Sequence, residues 1–129
     1  MSFVRFVVHG LDARSGRRQG LFQALAKLYD QDVLLSFERE LYEETRAWFN
    51  ENLERPEAFS RSGLRDSQGQ AISWFKDSAG DHISRMRTMA AILEEHGVRV
   101  EMIQSDRPGY IVYEDEFQVA AEPFSETMT

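Results

Sequence analysis

The chain has 129 residues, a formal net charge of −7, 42% hydrophobic side chains and no cysteine. That length suits one domain with its own core and is too short for two, while the missing thiols exclude disulfides, thiolate nucleophiles, Cys-ligated zinc and iron–sulfur clusters. The acidic balance argues against general nucleic-acid binding, which draws most of its affinity from Lys and Arg neutralising phosphates.

FVRFVV (3–8) is β-rich and apolar on both faces, and reads as a strand with neighbours. GLDARSGRRQG follows as a loop, and LFQALAKLY then spaces Leu21, Phe22, Leu25, Leu28 and Tyr29 as the apolar face of a first helix. A second amphipathic helix runs from about Asp32 or Ser36 to Leu53. Its expected apolar stripe is Leu34, Phe37, Leu41, Thr45, Trp48 and Phe49, with Glu38, Arg39, Glu43, Glu44 and Arg46 on the polar side. Residues 55–70 are polar and rich in Gly and Ser, a long loop.

AISWF offers a short strand, and DSAGDH opens a third helix with Ser78 as N-cap, Asp81 at N3 and Gly97 just past its end. Ala79, Ile83, Met86, Ala90 and Leu93 are its expected buried stripe. VRVEMIQ, YIVYE and QVAAEP complete the chain as strands, and residues 125–129 read as a frayed tail. The expected fold is thus α/β (α+β), a single domain over 1–129. Its mixed sheet has about five strands and about three helices, in the order β-αα-β-α-β-β-β. The strand–helix–strand unit from Ala71 to Gln104 favours a parallel pair with a right-handed crossover, and the last three strands an antiparallel meander.

No segment approaches the roughly 18 apolar residues of a membrane span, and the N-terminus MSFVRFVVHG has no signal-peptide pattern. With the absence of cysteine, these features predict a cytoplasmic protein without membrane association. Charge is unevenly distributed. Residues 1–29 carry five basic side chains against one acid, whereas residues 30–129 carry a net −11 and no Lys or Arg follows Arg107. An acidic body with a basic N-terminal loop suits a small anionic ligand, or a basic protein partner docking elsewhere.

The most acidic stretch, Glu114-Asp115-Glu116, falls at the tip of the expected final hairpin. Consecutive carboxylates on a turn diverge, and the alternating ligands and glycine of a calcium loop are missing, so no metal site is predicted. The expected register sets Tyr113 opposite Gln118 and places Tyr113, Gln118 and Glu122 on one face. There Tyr113 and Gln118 are candidates to orient a ligand, and Glu122 is a candidate base.

SWFKDSAGDH (73–82) carries the other candidates. A helix start at Ser78 beside Lys76, with Trp74 as a stacking surface, suits an anion, and His82 in the first turn suits proton transfer. Arg17 and Arg18 in SGRRQG have a geometry suited to a phosphate, without the Walker or dinucleotide pattern. His82 and His96 are 14 positions apart on one helix, roughly 21 Å, and cannot share an ion.

WFKDSAGDH, HGV and RPGYIVYEDEFQVAAEPF resemble segments of small bacterial single-domain proteins with no established function, over a match from SGRRQGLF to Phe124. The resemblance implies a free-standing bacterial domain and assigns no residue a role. Two readings stand. One is a domain binding an anionic or nucleotide-like ligand through Arg17, Arg18, Lys76, Ser78 and Trp74. If it is an enzyme, group transfer is the class, with His82 or Glu122 as acid/base. The other is an acidic interaction module, antitoxin-like or immunity-like, that inhibits a basic partner through the second helix and the C-terminal strands. Neither reading calls for a cofactor.

Overall fold

The computed structural model describes residues 2–11, 18–54 and 71–124, with side chains from Ser2 to Val8, from Gly20 to Glu54 and from Ala71 to Phe124. In chain order the elements are β1 (Phe3–Leu11), β2 (Arg18–Gly20), α1 (Leu21–Asp30), α2 (Ser36–Asn52), β3 (Ile72–Lys76), α3 (Gly80–Glu95), β4 (Glu101–Ser105), β5 (Tyr110–Glu114) and β6 (Gln118–Glu122). This is the expected α+β order, with β1 extended to Leu11 and the short β2 added where the sequence reads as loop. Among the described residues no helix is long and apolar enough to cross a membrane.

Every strand pairing is antiparallel. The order is β4-β1-β3-β6-β5, and β2 continues along the same edge of β1 as β3. Two pairings differ from the expectation. Strands β3 and β4 do run in the same direction around α3, but β1 lies between them and hydrogen-bonds to both. The long apolar β1 can take a partner on each edge, so it occupies the centre. The expected three-strand meander is reduced to the β5–β6 hairpin, because β4 lies at the opposite edge of the sheet.

Alternation along β1 divides the apolar residues between two faces. Val4, Phe6 and Val8 join the helices in the main core with Leu21, Leu25, Tyr42, Phe49, Met86, Met89 and Leu93. Phe3 and Val7 face the other way, into a second cluster built from strand residues alone: Ile72, Trp74, Ile103 and Val119. The helix α3 buries His82, Met86, Met89, Ala90, Ile92 and Leu93, so the predicted stripe is largely right and Ile83 is only half buried. It ends as its glycine dictates: Gly97 has φ +79, its N–H bonds Glu94 O, and Val98 N–H bonds Leu93 O, closing a Schellman motif.

The first turn of α2 departs from the sequence pattern. Glu38 is buried at 2% exposure, while Phe37, placed in the expected apolar stripe, is 64% exposed. Glu38 accepts the Leu35 N–H at 2.8 Å, the backward half of a capping box, and its Oε1 also accepts from His96 Nε2 at 2.8 Å. Those two bonds turn the carboxylate inward and leave Phe37 facing solvent.

Candidate functional site

The C-terminal end of α2 carries no basic residue in its last turn and no glycine beyond it, so its carbonyls need partners from elsewhere. Two buried polar side chains bond carbonyls here, one on the last helical residue and one two residues beyond it. His82, in the first turn of α3, donates from Nε2 to Asn52 O at 2.9 Å, and Gln118, at the start of β6, donates to Glu54 O. Both are 3% exposed. The imidazole is enclosed by Trp48 and Phe49 of α2, Phe75 of β3 and Phe117, with ring centroids 4.4 to 6.0 Å away. Its Nδ1 is buried without a hydrogen-bond partner.

Asp115 organises the adjoining turn. Its Oδ1 accepts the N–H groups of Phe117 and Gln118 at 2.9 and 3.1 Å, while Oδ2 accepts from the Tyr113 hydroxyl at 2.8 Å and the Gln118 amide at 3.1 Å. Burial disfavours the ionised carboxylate, but the bonds from Phe117, Gln118 and Tyr113 together outweigh it and hold the carboxyl below its ordinary range. Tyr113 moves the other way. Desolvation first, then its bond to Asp115, pushes the phenol up to about 12.

Between the end of α2 and this turn lies an open groove of about 790 Å³, lined by Asn50, Glu51, Asn52, Leu53, Glu54, Asp115, Glu116 and Phe117. Of these eight described residues four are carboxylates and none is basic. The negative end of the α2 dipole points to the same place. Among the described residues no three His, Asp or Glu side chains are grouped to hold a metal ion.

The candidates from the sequence fall into separate places. His82, Tyr113 and Gln118 meet around the end of α2, where each is engaged in a structural bond. Lys76 lies on the opposite face of the sheet and pairs with Glu114 at 2.7 Å, its side chain only 12% exposed. Trp74 is 1% exposed within the second apolar cluster and presents no stacking surface. Ser78 is exposed one residue ahead of the N-cap, which is Ala79 with no side-chain cap bond. The cause is a tight turn: Ala79 N–H bonds Lys76 O, and the helix starts at Gly80. Glu122 stands opposite Tyr110 at the far end of β6, about 13 Å along the strand from Gln118. Arg17, the 55–70 segment and residues 125–129 lie outside the described residues, as does the side chain of Arg18, whose backbone belongs to β2.

The hairpin register also differs. Tyr113 pairs with Ala120 rather than Gln118, Glu114 pairs with Val119, and an irregularity between Ile111 and Tyr113 brings Tyr110 opposite Glu122. Asp115 is the cause, because its side-chain bonds fix a turn with Glu116 and Phe117 at its corner. The three acidic neighbours do diverge: Glu114 reaches Lys76, Asp115 closes the turn, and Glu116 lines the groove. The groove itself escaped the sequence reading, since its walls are some sixty positions apart. The acidic end of α2, Glu51 and Glu54, and the acidic stretch Glu114-Asp115-Glu116 were visible as separate signals, not as two walls of one site.

No protein-family model matches the chain, and comparison with curated proteins and with solved structures finds no significant similarity.

Proposed function

We propose that the protein is an interaction module whose acidic groove receives a basic segment of a protein partner. The observation that carries this reading is the groove between α2 and the β5–β6 turn, which Glu51, Glu54, Asp115 and Glu116 line with no basic side chain among the described residues. Its volume lies within the roughly 300–1,000 Å³ of ligand-sized clefts. The reading draws on fixed walls: His82 and Gln118 tie the end of α2 to α3 and β6, so little ordering is needed when a cation arrives.

The anionic-ligand reading has less support. Its lysine already neutralises Glu114, and its stacking tryptophan is buried.

The test uses a fluorescein-labelled Lys/Arg-rich peptide titrated against the protein in 50 and 500 mM salt. Binding should weaken at least tenfold across that range, because exposed charge pairs are screened. The E51Q/E54Q/E116Q variant, which spares the turn-forming Asp115, should bind as weakly in 50 mM salt as wild type does in 500 mM. Affinity insensitive to salt and to those substitutions would overturn the reading.

A further inference from the structure

Three exposed apolar side chains fall within five residues where α1 passes to α2: Val33, Leu35 and Phe37, at 46%, 59% and 64% exposure. The local chemistry does not require them. Helix α1 closes with Asp32 in the left-handed position, φ 58, its N–H on Tyr29 O and the Val33 N–H on Leu28 O. This holds Val33 at the turn. Leu35 occupies the N-cap of α2, a position where Ser, Thr, Asp or Asn would give the helix a cap bond. Phe37 lies one residue before the buried Glu38. Together they expose on the order of 300 Å² of apolar surface, at roughly 150–200 Å² for a full side chain.

The knob continues into the groove along one face of α2. At 100° per residue, Phe37, Glu40, Glu44, Ala47 and Glu51 fall within an arc of about 80°, opposite the buried Glu38, Tyr42, Thr45 and Phe49. All five are exposed, and Glu51 is itself a groove residue. The stripe contains no basic residue. Arg39 lies off it, bound to Asp32 at 2.9 Å and set over the Tyr29 ring.

Resting on the interaction-module reading, we infer that the partner lies along this face. Its apolar anchor sits on Val33, Leu35 and Phe37, and its basic residues follow Glu40, Glu44 and Glu51 into the groove. From Phe37 to Glu51 the surface is about 21 Å long, the length of four turns of a partner helix. Charge selects this occupant over a second copy of the chain, which would oppose one acidic stripe with another. Area points the same way, since the knob falls well short of the roughly 1,000 Å² or more per partner that obligate homodimers bury.

Two labelled 18-residue helical peptides test this. Both carry a lysine stripe. One ends in a Leu-Trp-Leu cluster, and in the other serines replace that cluster. Wild-type protein should bind the apolar-ended peptide roughly tenfold more tightly, with amide shifts in its NMR spectrum at Phe37, Glu40, Glu44 and Glu51. In L35S/F37S the preference should vanish while the serine peptide binds as before. In E51Q/E54Q both peptides should weaken.

A preference that survives L35S/F37S, or no preference in wild type, overturns the inference and leaves the groove reading intact if E51Q/E54Q still weakens binding. If E51Q/E54Q changes nothing, the groove reading falls as well. Self-association of the free protein that L35S/F37S abolishes, seen by sedimentation, would reassign the face to contacts between copies. Unchanged unfolding midpoints would establish that the variants remain folded.

Discussion

Replacing His96 with alanine tests the least expected feature of the core, the buried pairing of Glu38 with His96. The substitution leaves a carboxylate at 3% side-chain exposure holding only the Leu35 N–H. Breaking a fully buried charged pair from one side costs 3–5 kcal/mol as a rule, about what an orphaned charge requires. His96 is 22% exposed on its side chain, so water can reach the space it leaves, and the expected cost falls to about 2–3 kcal/mol. For a chain of this size that is a drop in Tm of roughly 8–12 °C. Glu38→Gln keeps an oxygen for Leu35 and removes the charge, so it should cost only about 1 kcal/mol. Urea unfolding of both single variants and the double variant gives the coupling, expected at about 1–2 kcal/mol. The pH dependence has a definite sign. The bond from His96 leads in lowering the Glu38 pKa, with burial opposing and Leu35 assisting. The folded chain therefore binds fewer protons than the unfolded one. This stability is complete above the ordinary Glu range near pH 4.3 and drains as pH falls through the lowered value. Glu38→Gln should flatten that acid limb. A coupling near zero, or an acid limb unchanged in Glu38→Gln, would refute the assignment.

Gly109→Ala should unfold the protein or cost more than about 3 kcal/mol in urea, because φ is +137 and a Cβ would sit 2.1 Å from Glu122 O. A cost below 1 kcal/mol would mean the approach of β5 to the end of β6 is misjudged. In alkaline titration followed at 295 nm, one tyrosine should ionise near 12, and Asp115→Asn should bring it down, since Asp115 is the acceptor and the nearby negative charge. The Lys76–Glu114 pair should respond unequally. Glu114→Ala strands a lysine that is 12% exposed and should cost about 2–3 kcal/mol, whereas Lys76→Met leaves a glutamate that is 44% exposed and should cost under 1. Equal costs would contradict the burial asymmetry.

What could be read from the chain was what depends on neighbours in sequence. Helical spacing located α1, α2 and α3, and Gly97 marked the end of α3 through its positive φ. Sheet order was not legible, because β1 gains β3 and β4 as partners only after some seventy to a hundred intervening residues. Burial of individual polar residues was hidden for the same reason. Glu38 sits on the polar side of α2 by pattern and is drawn inward by His96, 58 positions away. Its position three residues after the N-cap Leu35 was a local signal for the capping bond alone. Lys76 read as an anion ligand because Glu114, which neutralises it, belongs to the far hairpin. Asp115 illustrates a third case: its side chain, followed two and three residues on by the N–H groups it binds, was enough to move the turn one residue along the chain and the partner of Tyr113 by two.

The histidines at the two ends of α3 take on a common meaning once their partners are known. His82 and His96 stand fourteen residues apart, and so do the groups they hold on α2, Asn52 and Glu38. Equal spacing in opposite order is what two antiparallel helices of one rise require. Thus α3 grips α2 at both ends, while Gln118 adds a third bond at Glu54. Such anchoring adds directional bonds with fixed partners to the apolar packing of Tyr42 and Phe49, so one register of α2 on α3 is specified twice. The consequence falls on the outer face of α2, where Phe37, Glu40, Glu44 and Glu51 are held in one register over about 21 Å. A helix clamped at both ends, with its outward face left uncovered by the described residues, offers a partner a surface whose ordering cost is already met by folding. If that is why the clamps exist, loosening one end should weaken peptide binding at the other. His96→Ala, read at a pH and temperature where it remains folded, should therefore reduce affinity for a basic peptide in the groove at Glu51 and Glu54, although His96 lies near the opposite end of the helix.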